Sequence, residues 1–192
     1  MALTVPLPRE PFDDGRARWY ENALGWATSD GPPVQLVTGL RFDVLELPAA
    51  AGQAVLKRFP RTGPVALMGR RVRMLVAAGS AEELPGLLDW LEWGGVALDL
   101  SALGTGGRMA APVPPGQGTR DARGTAVWLR PPEPGHEVEP TLPALDGLAR
   151  GTGHGPGLVR LVEAAAAECH RLRLRSAAER AADGRGQPLA FS

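Results

Sequence analysis

The stretch "FDVLELPAAAGQAVLKRF", residues 42–59, decides the reading of the fold. Its first half is an apolar run of strand length, and its second half is Ala-rich with apolar residues at helical spacing. It predicts a buried strand passing directly into a helix, despite Gly52. Upstream, "VQLV" (34–37) is a second strand-like run, split from "RFDVLEL" by Thr38 and Gly39. Downstream, "GPVALMGRRVRMLVAAG" (63–79) has two apolar runs joined by Gly69, Arg70 and Arg71, the pattern of a hairpin.

Further from the centre, the elements continue to alternate. "GRARWYENALGW" (15–26) has helical character, with Ala17, Tyr20 and Leu24 on one stripe and Asp13 or Asp14 as its cap. Ser80 followed by Glu83 fits a capping box for "AEELPGLLDWLEW", where Leu84, Leu87, Leu88 and Leu91 recur at helical spacing. Pro85 makes that helix start late or kink. "VALDL" (96–100), "RMAAP" (108–112) and "TAVWL" (125–129) read as three short strands. The Pro-rich, acidic run "RPPEPGHEVEPTLPAL" is a connector, extended at best. From Pro156 to about Arg180 a helix is expected, its apolar face made by Leu158, Leu161, Val162, Ala165, Cys169 and Leu172. The expected class is α+β, a single domain.

A chain of 192 residues can bury one sizeable core without staples. The single cysteine, Cys169, permits neither an internal disulfide nor a cysteine zinc site. No stretch approaches the roughly 20 apolar residues of a membrane span, and "MALTVPLPREPFDDGR" lacks the layout of a signal peptide. A cytoplasmic protein with no membrane partner is expected. Twenty arginines against one lysine, Lys57, fit a GC-rich genome such as those of actinobacteria, so arginine number alone says little.

The formal net charge is zero, yet charge is unevenly placed. Between Leu47 and Ala81 every charged residue is basic: Lys57, Arg58, Arg61, Arg70, Arg71 and Arg73. From Glu82 to Asp99 every one is acidic: Glu82, Glu83, Asp89, Glu92 and Asp99. The basic segment suits phosphate tracking; the plainer alternative is a solvated face paired with the neighbouring acidic helix.

Common motifs fail on inspection. "GTGGR" lacks the Lys-Ser/Thr pair of a phosphate loop. His136, His154 and His170 have no metal-like spacing with acidic residues. Ser80 and Ser101 lack a nucleophile-elbow context. Trp90, Trp93 and Trp128 suit base stacking, although aromatic residues on a Leu-rich helix and a short strand are usually core.

The succession "YENALGW … LVTGLRFDVLELPAAAGQAVLKRF … GPVALMGRRVRMLVAAG … VALDLSALGTGGRMAAPVPPGQG … TAVWL", over roughly residues 16 to 132, resembles the N-terminal domain of bifunctional DNA primase/polymerases, a primase-polymerase family related to archaeo-eukaryotic primases. The most specific part is "LDLSALGTGGRMAAPVPPGQG", and the chain looks like a degenerate, actinobacterial-type member. The resemblance implies a mixed or antiparallel sheet flanked by helices, here with an added C-terminal helix. It divides the chain into an extended N-terminal segment (1–15), the primase-polymerase-like domain (16–132), a Pro/Gly-rich connector (133–156), a C-terminal helix packed on the domain (157–183) and a tail (184–192).

The family's nucleotidyl transfer implies carboxylates that hold two metal ions, Mg²⁺ or Mn²⁺. An Asp-x-Asp or Asp-x-Glu pair on a strand serves, because residues two apart share a face. Here Glu46 shares its face with Val44 and Pro48, while Asp43 sits opposite with Leu45 and Leu47, so the pair is broken. Asp99 matches the third carboxylate; the expected histidine falls at about Met74. No metal or other cofactor is expected unless Glu46, Asp99 and Asp43 still act together. The resemblance therefore implies a catalytically inactive domain kept for DNA binding or regulation, with Arg58, Arg61, Arg70, Arg71, Arg73 and Arg108 as DNA contacts. The alternatives are a divergent metal-dependent primase or polymerase using the three carboxylates, and a protein-interaction module without nucleic-acid affinity.

Overall fold

The computed structural model describes residues 15–29, 31–117, 125–145 and 155–183. At its centre β3 (Phe42–Pro48) pairs along its whole length with β5 (Arg71–Ala77), from Phe42 opposite Ala77 to Pro48 opposite Arg71. β4 (Val65–Met68) forms the expected hairpin with β5, turning at Gly69 and Arg70. β6 (Ser101–Leu103) and β8 (Val127–Arg130) close the edges, giving an antiparallel sheet in the order β6-β3-β5-β4-β8. A smaller antiparallel sheet, β1-β2-β7, is built from Thr28–Ser29, Gln35–Val37 and Arg108–Ala110. With helices α1 (Arg16–Leu24), α2 (Ala49–Arg58), α3 (Ser80–Trp90) and α4 (Leu158–Asp183), the molecule is a single α+β domain. No helix among the described residues is long and apolar enough to cross a membrane.

The central strands bury both faces, which is why they read as near-continuous apolar runs. Strand alternation sends Leu45, Leu47, Val72, Met74 and Val76 toward the helices, where they meet Val55, Leu84, Leu87 and the Leu158, Leu161, Val162, Ala165, Cys169 face of α4. The opposite face sends Phe42, Val44 and Leu75 into a second core with Tyr20, Trp26, Leu36 and Met109. Burial of that many large apolar side chains on two faces is the main stabilising term. Tyr20 is fully buried yet satisfied, donating its hydroxyl to the Pro112 carbonyl at 2.9 Å and accepting from Trp128 Nε1 at 2.8 Å.

Gly52 belongs in α2 because the helix lies against β5: a Cβ there would sit 2.6 Å from Val72 Cβ. Gly39 has a left-handed backbone (φ 85°) and meets the Thr105 backbone, which ties the turn before β3 to the "GTGG" loop.

Several expectations are corrected. "VALDL" is not a strand; the strand begins at Ser101. Carbonyls in that segment are engaged by α4 instead, with Arg173 Nη1 donating to Ala97 O at 2.6 Å and Cys169 Sγ lying 3.5 Å from Asp99 O. The Ser80–Glu83 capping box does not form, because Ser80 is already the first residue of α3 and is buried behind a left-handed Gly79. The proposed caps Asp13 and Asp14 lie outside the described residues. The connector is more than extended chain: it makes a 3₁₀ turn at Glu139–Thr141, buries Val138 and Leu142 in the second core and accepts from Ala77 N through Pro143 O at 3.0 Å. Arg41 Nε pairs with Glu139 at 2.6 Å and fastens that turn to the segment entering β3.

Candidate functional site

The three carboxylates singled out from the sequence fall into two separate places. Asp43 lies on the helix-facing side of β3 and is fully buried. Its Oδ2 accepts from the backbone N–H of Ala81 at 2.8 Å, so the carboxylate caps α3 from a strand 38 residues earlier in the chain. The N-terminus of a helix leaves such amides unsatisfied and carries partial positive charge. Burial pushes the Asp43 carboxyl up from its ordinary pKa; the Ala81 hydrogen bond opposes the rise and the neighbouring Glu82 adds to it. Its Oδ1 has no hydrogen-bond partner among the described residues.

Glu46 emerges on the opposite face, beyond the part covered by the smaller sheet. Register places it directly across from Arg73, and strand alternation puts Arg71 on the same face. Glu46 Oε2 receives Arg73 Nε at 2.6 Å and Oε1 receives Arg71 Nε at 3.1 Å. Arg71 then reaches outward, its Nη1 donating to Asp99 Oδ1 at 2.6 Å. One guanidinium thus joins the two carboxylates. The Arg71 pKa is shifted upward: burial lowers it, but the hydrogen bond and charge of Asp99, with those of Glu46, outweigh that.

This cluster is electrically closed. Two guanidinium groups face two carboxylates, and the position between Glu46 and Asp99 is filled by Arg71. A divalent cation needs oxygen ligands free of competing cations; here the positive charge is built into the chain. Among the described residues, no group of three or more His, Cys, Asp or Glu side chains is placed to hold a metal ion. The arrangement in which Asp43, Glu46 and Asp99 share a metal is not formed, since the sheet separates Asp43 from the other two.

The arginines do not form one patch. Arg71 and Arg73 are half-buried and committed to Glu46, so they do not line an open cleft. Arg70 is exposed at the hairpin turn. Arg58 and Arg61 are exposed at the end of α2 and just beyond it, where Pro64 O meets Leu75 N, the end of the hairpin remote from Arg70. Arg108 is exposed on β7 beside the buried Met109, so it leaves the smaller sheet on the side away from the core. The acidic stretch contributes Asp99 alone to the pairing with these bases.

Other candidates resolve individually. A pocket of about 480 Å³ opens beside Asp99, with Pro48, Leu98, Cys169, Arg173 and Ser176 in its walls. The Cys169 thiol there is pushed up to about 12 by burial, then by the Asp99 charge, so it is no nucleophile at neutral pH. A second pocket of about 470 Å³ holds Arg61, Arg130 and His136. His170 packs against Trp93, and His154 lies outside the described residues. Trp128 and Trp93 are half-buried, whereas Trp90 is 71% exposed, contrary to its expected core position. Compared with protein-family models, curated proteins and solved structures, the chain matches none.

Proposed function

We propose that the chain is a catalytically inactive primase-polymerase-like domain that works as a cytoplasmic DNA-binding or regulatory module. The observation that carries the inactive half of this reading is Arg71, whose guanidinium joins Glu46 to Asp99 where the family's chemistry requires metal. A carboxylate already neutralised by two guanidinium groups contributes structure rather than Lewis-acid chemistry. The DNA-binding half rests on the exposed arginines. Arg70 lies at one end of the hairpin and Arg58 with Arg61 at the other, separated by about the length of β5, roughly 20 Å at 3.3 Å per residue. That is the span of about six base pairs of duplex.

Fluorescence anisotropy of labelled single- and double-stranded DNA, titrated at low and moderate salt, tests the reading. Four phosphate contacts give a slope of log affinity against log salt of about −3.6 on duplex. A variant with Arg58, Arg61, Arg70 and Arg108 changed to alanine is expected to lose binding while keeping its fold, because all four side chains are exposed. Absence of binding at low salt sinks the DNA reading. Template-directed extension in the presence of Mn²⁺ sinks the inactive reading.

A further inference from the structure

The outer surface of α3 is acidic, the stretch of α4 from residue 170 to 178 is basic, and the two helices pack together. On α3, Glu83, Gly86 and Trp90 follow one another at helical spacing, flanked by Glu82, Asp89 and Glu92. Glu82, Glu83, Asp89, Trp90 and Glu92 are all exposed, and no basic residue occurs between Arg73 and Arg108. Gly86 leaves open space one turn before the tryptophan: a Cβ there would meet nothing within 4 Å. The indole therefore stands exposed on the same stripe as Glu83 and the bare backbone of Gly86, with the exposed acids Asp89 and Glu92 close to it in sequence. Trp90 is 71% exposed, and tryptophan is among the residue types enriched at binding hot spots.

On α4 the buried face ends at Cys169. From there the helix continues through Asp183. Between His170 and Ala178 the only charged residues are Arg171, Arg173 and Arg175. Leu174, 55% exposed, lies among them, with Arg171 three residues before it and Ala178 four after on the same stripe. Arg171 pairs with Glu168 and Arg173 holds the Ala97 carbonyl.

The two surfaces are fixed beside one another. Trp93 packs on His170 with ring centroids 5.6 Å apart, and the Arg173–Ala97 hydrogen bond pins the segment after α3 to the same turn of α4. We infer that the chain forms a two-fold homodimer in which the acidic, Trp90-bearing face of α3 in one copy receives the basic, Leu174-bearing stretch of α4 in the other. A two-fold axis passing near the α3–α4 contact makes each surface meet its complement twice, which is the self-complementarity an isologous interface requires. The occupant is a second copy because this molecule itself carries both halves of the charge match, and its zero formal charge leaves no net repulsion between copies. Leu174 fills the notch at Gly86 against the indole, and Arg171 and Arg175 face Glu83, Asp89 and Glu92. The inference is independent of the DNA reading.

Sedimentation velocity of the full chain without DNA, over a wide concentration range, tests it. The expected mass is twice the 20.2 kDa of the chain, with dissociation promoted by salt. Trp90→Ala and Leu174→Asp are each expected to raise the dissociation constant at least tenfold with unchanged far-UV circular dichroism. Two charge-reversed variants supply the decisive comparison: Glu83→Arg with Glu92→Arg, and Arg171→Glu with Arg175→Glu. Each is expected to sediment as a monomer, and an equimolar mixture is expected to dimerise, because the reversed surfaces match one another and the untouched pair remains native. A wild-type monomer at all concentrations overturns the inference. So does a dimer indifferent to Trp90→Ala, or a mixture of the reversed variants that stays monomeric.

Discussion

The ion-pair cluster around Glu46 makes a quantitative demand that a metal site would not make. Consider Glu46→Gln, which keeps the shape and removes the charge. Glu46 is the shared partner of Arg71 and Arg73, and the three side chains are only 19%, 27% and 16% exposed. A fully buried pair stripped of one partner costs about 3–5 kcal/mol, and a fully exposed pair about 0.2–1 kcal/mol. Partial exposure places this cluster between those limits. Loss of the carboxylate also leaves the Arg71 and Arg73 guanidinium groups, two residues apart on one face of β5, without the negative charge they share. The expected cost is therefore about 2 kcal/mol, or a fall in Tm of about 4–8 °C for a chain of this size. Urea denaturation of wild type, Glu46→Gln, Arg73→Met and the double variant, at low salt, forms the cycle. A coupling of about 1–2 kcal/mol between Glu46 and Arg73 is expected, with no dependence of stability on Mg²⁺ or Mn²⁺. Catalytic carboxylates behave in the opposite way: sites held for function are commonly stabilised by such a substitution, and a ligand that binds only the folded state raises its stability. A Glu46→Gln protein more stable than wild type, together with a wild type stabilised by Mn²⁺ through Glu46, refutes the internal-cation account.

Two further expectations follow from the other face of β3. Asp43 has a raised pKa in the folded state, so the folded chain holds its proton over a range in which the unfolded chain has released it. Stability then falls as pH rises from the unfolded value, about 3.9, through the raised folded value, and the loss persists above it. Asp43→Asn retains an acceptor for the Ala81 amide and removes the charge. Urea melts across that range are expected to show a flatter pH profile and no loss at neutral pH; a loss above about 1 kcal/mol at pH 7 would mean that the ionised carboxylate is a net favourable cap. At Gly52, alanine gains about 1 kcal/mol of helix propensity but must displace Val72, whose Cβ, Cγ1 and Cγ2 lie 2.6–2.8 Å from the added methyl. Overpacking costs about 1–3 kcal/mol, so a net loss of about 1 kcal/mol is expected, reduced when Val72→Ala is introduced beside it; a stabilised single variant would show that α2 does not lie this close to β5.

The division between what the sequence revealed and what it concealed follows the range of the interactions concerned. The β3–α2 unit, the β4–β5 hairpin and the apolar face of α4 were legible because periodicities of 2 and 3.6 are written into consecutive residues. The same periodicity puts Asp43 and Glu46 on opposite faces of the strand. What occupies each face was not legible. Ala81 meets Asp43 from 38 residues away, and Arg71 reaches Glu46 across 25 and Asp99 across 28. Val138 and Leu142 stand among prolines and acids with no strand or helix period, too little to show that the connector enters a core. The "VALDL" segment failed for a related reason: its apolar texture fits a strand, but its carbonyls are taken by Arg173 and Cys169 of α4, seventy residues or more further on.

Those long-range contacts bear directly on function. The basic run from Lys57 to Arg73 looked, as a string, like a continuous surface for phosphate. In three dimensions its last two members, Arg71 and Arg73, turn inward to a carboxylate on the adjacent strand, and Lys57, Arg58, Arg61 and Arg70 remain in solvent. The acidic run behaves differently. Only Asp99 is drawn into that cluster, while Glu82, Glu83, Asp89 and Glu92 stay outside it, exposed on or just after the helix that carries the exposed Trp90. The basic stretch that the fold brings alongside that helix is not the one next to it in sequence; it lies on α4, which packs against α3. A reading from charge runs alone assigns the acids to the preceding arginines. The fold gives most of them no such partner, and so leaves an acidic face with a basic one beside it on each copy of the chain, which is the arrangement that a second copy can neutralise.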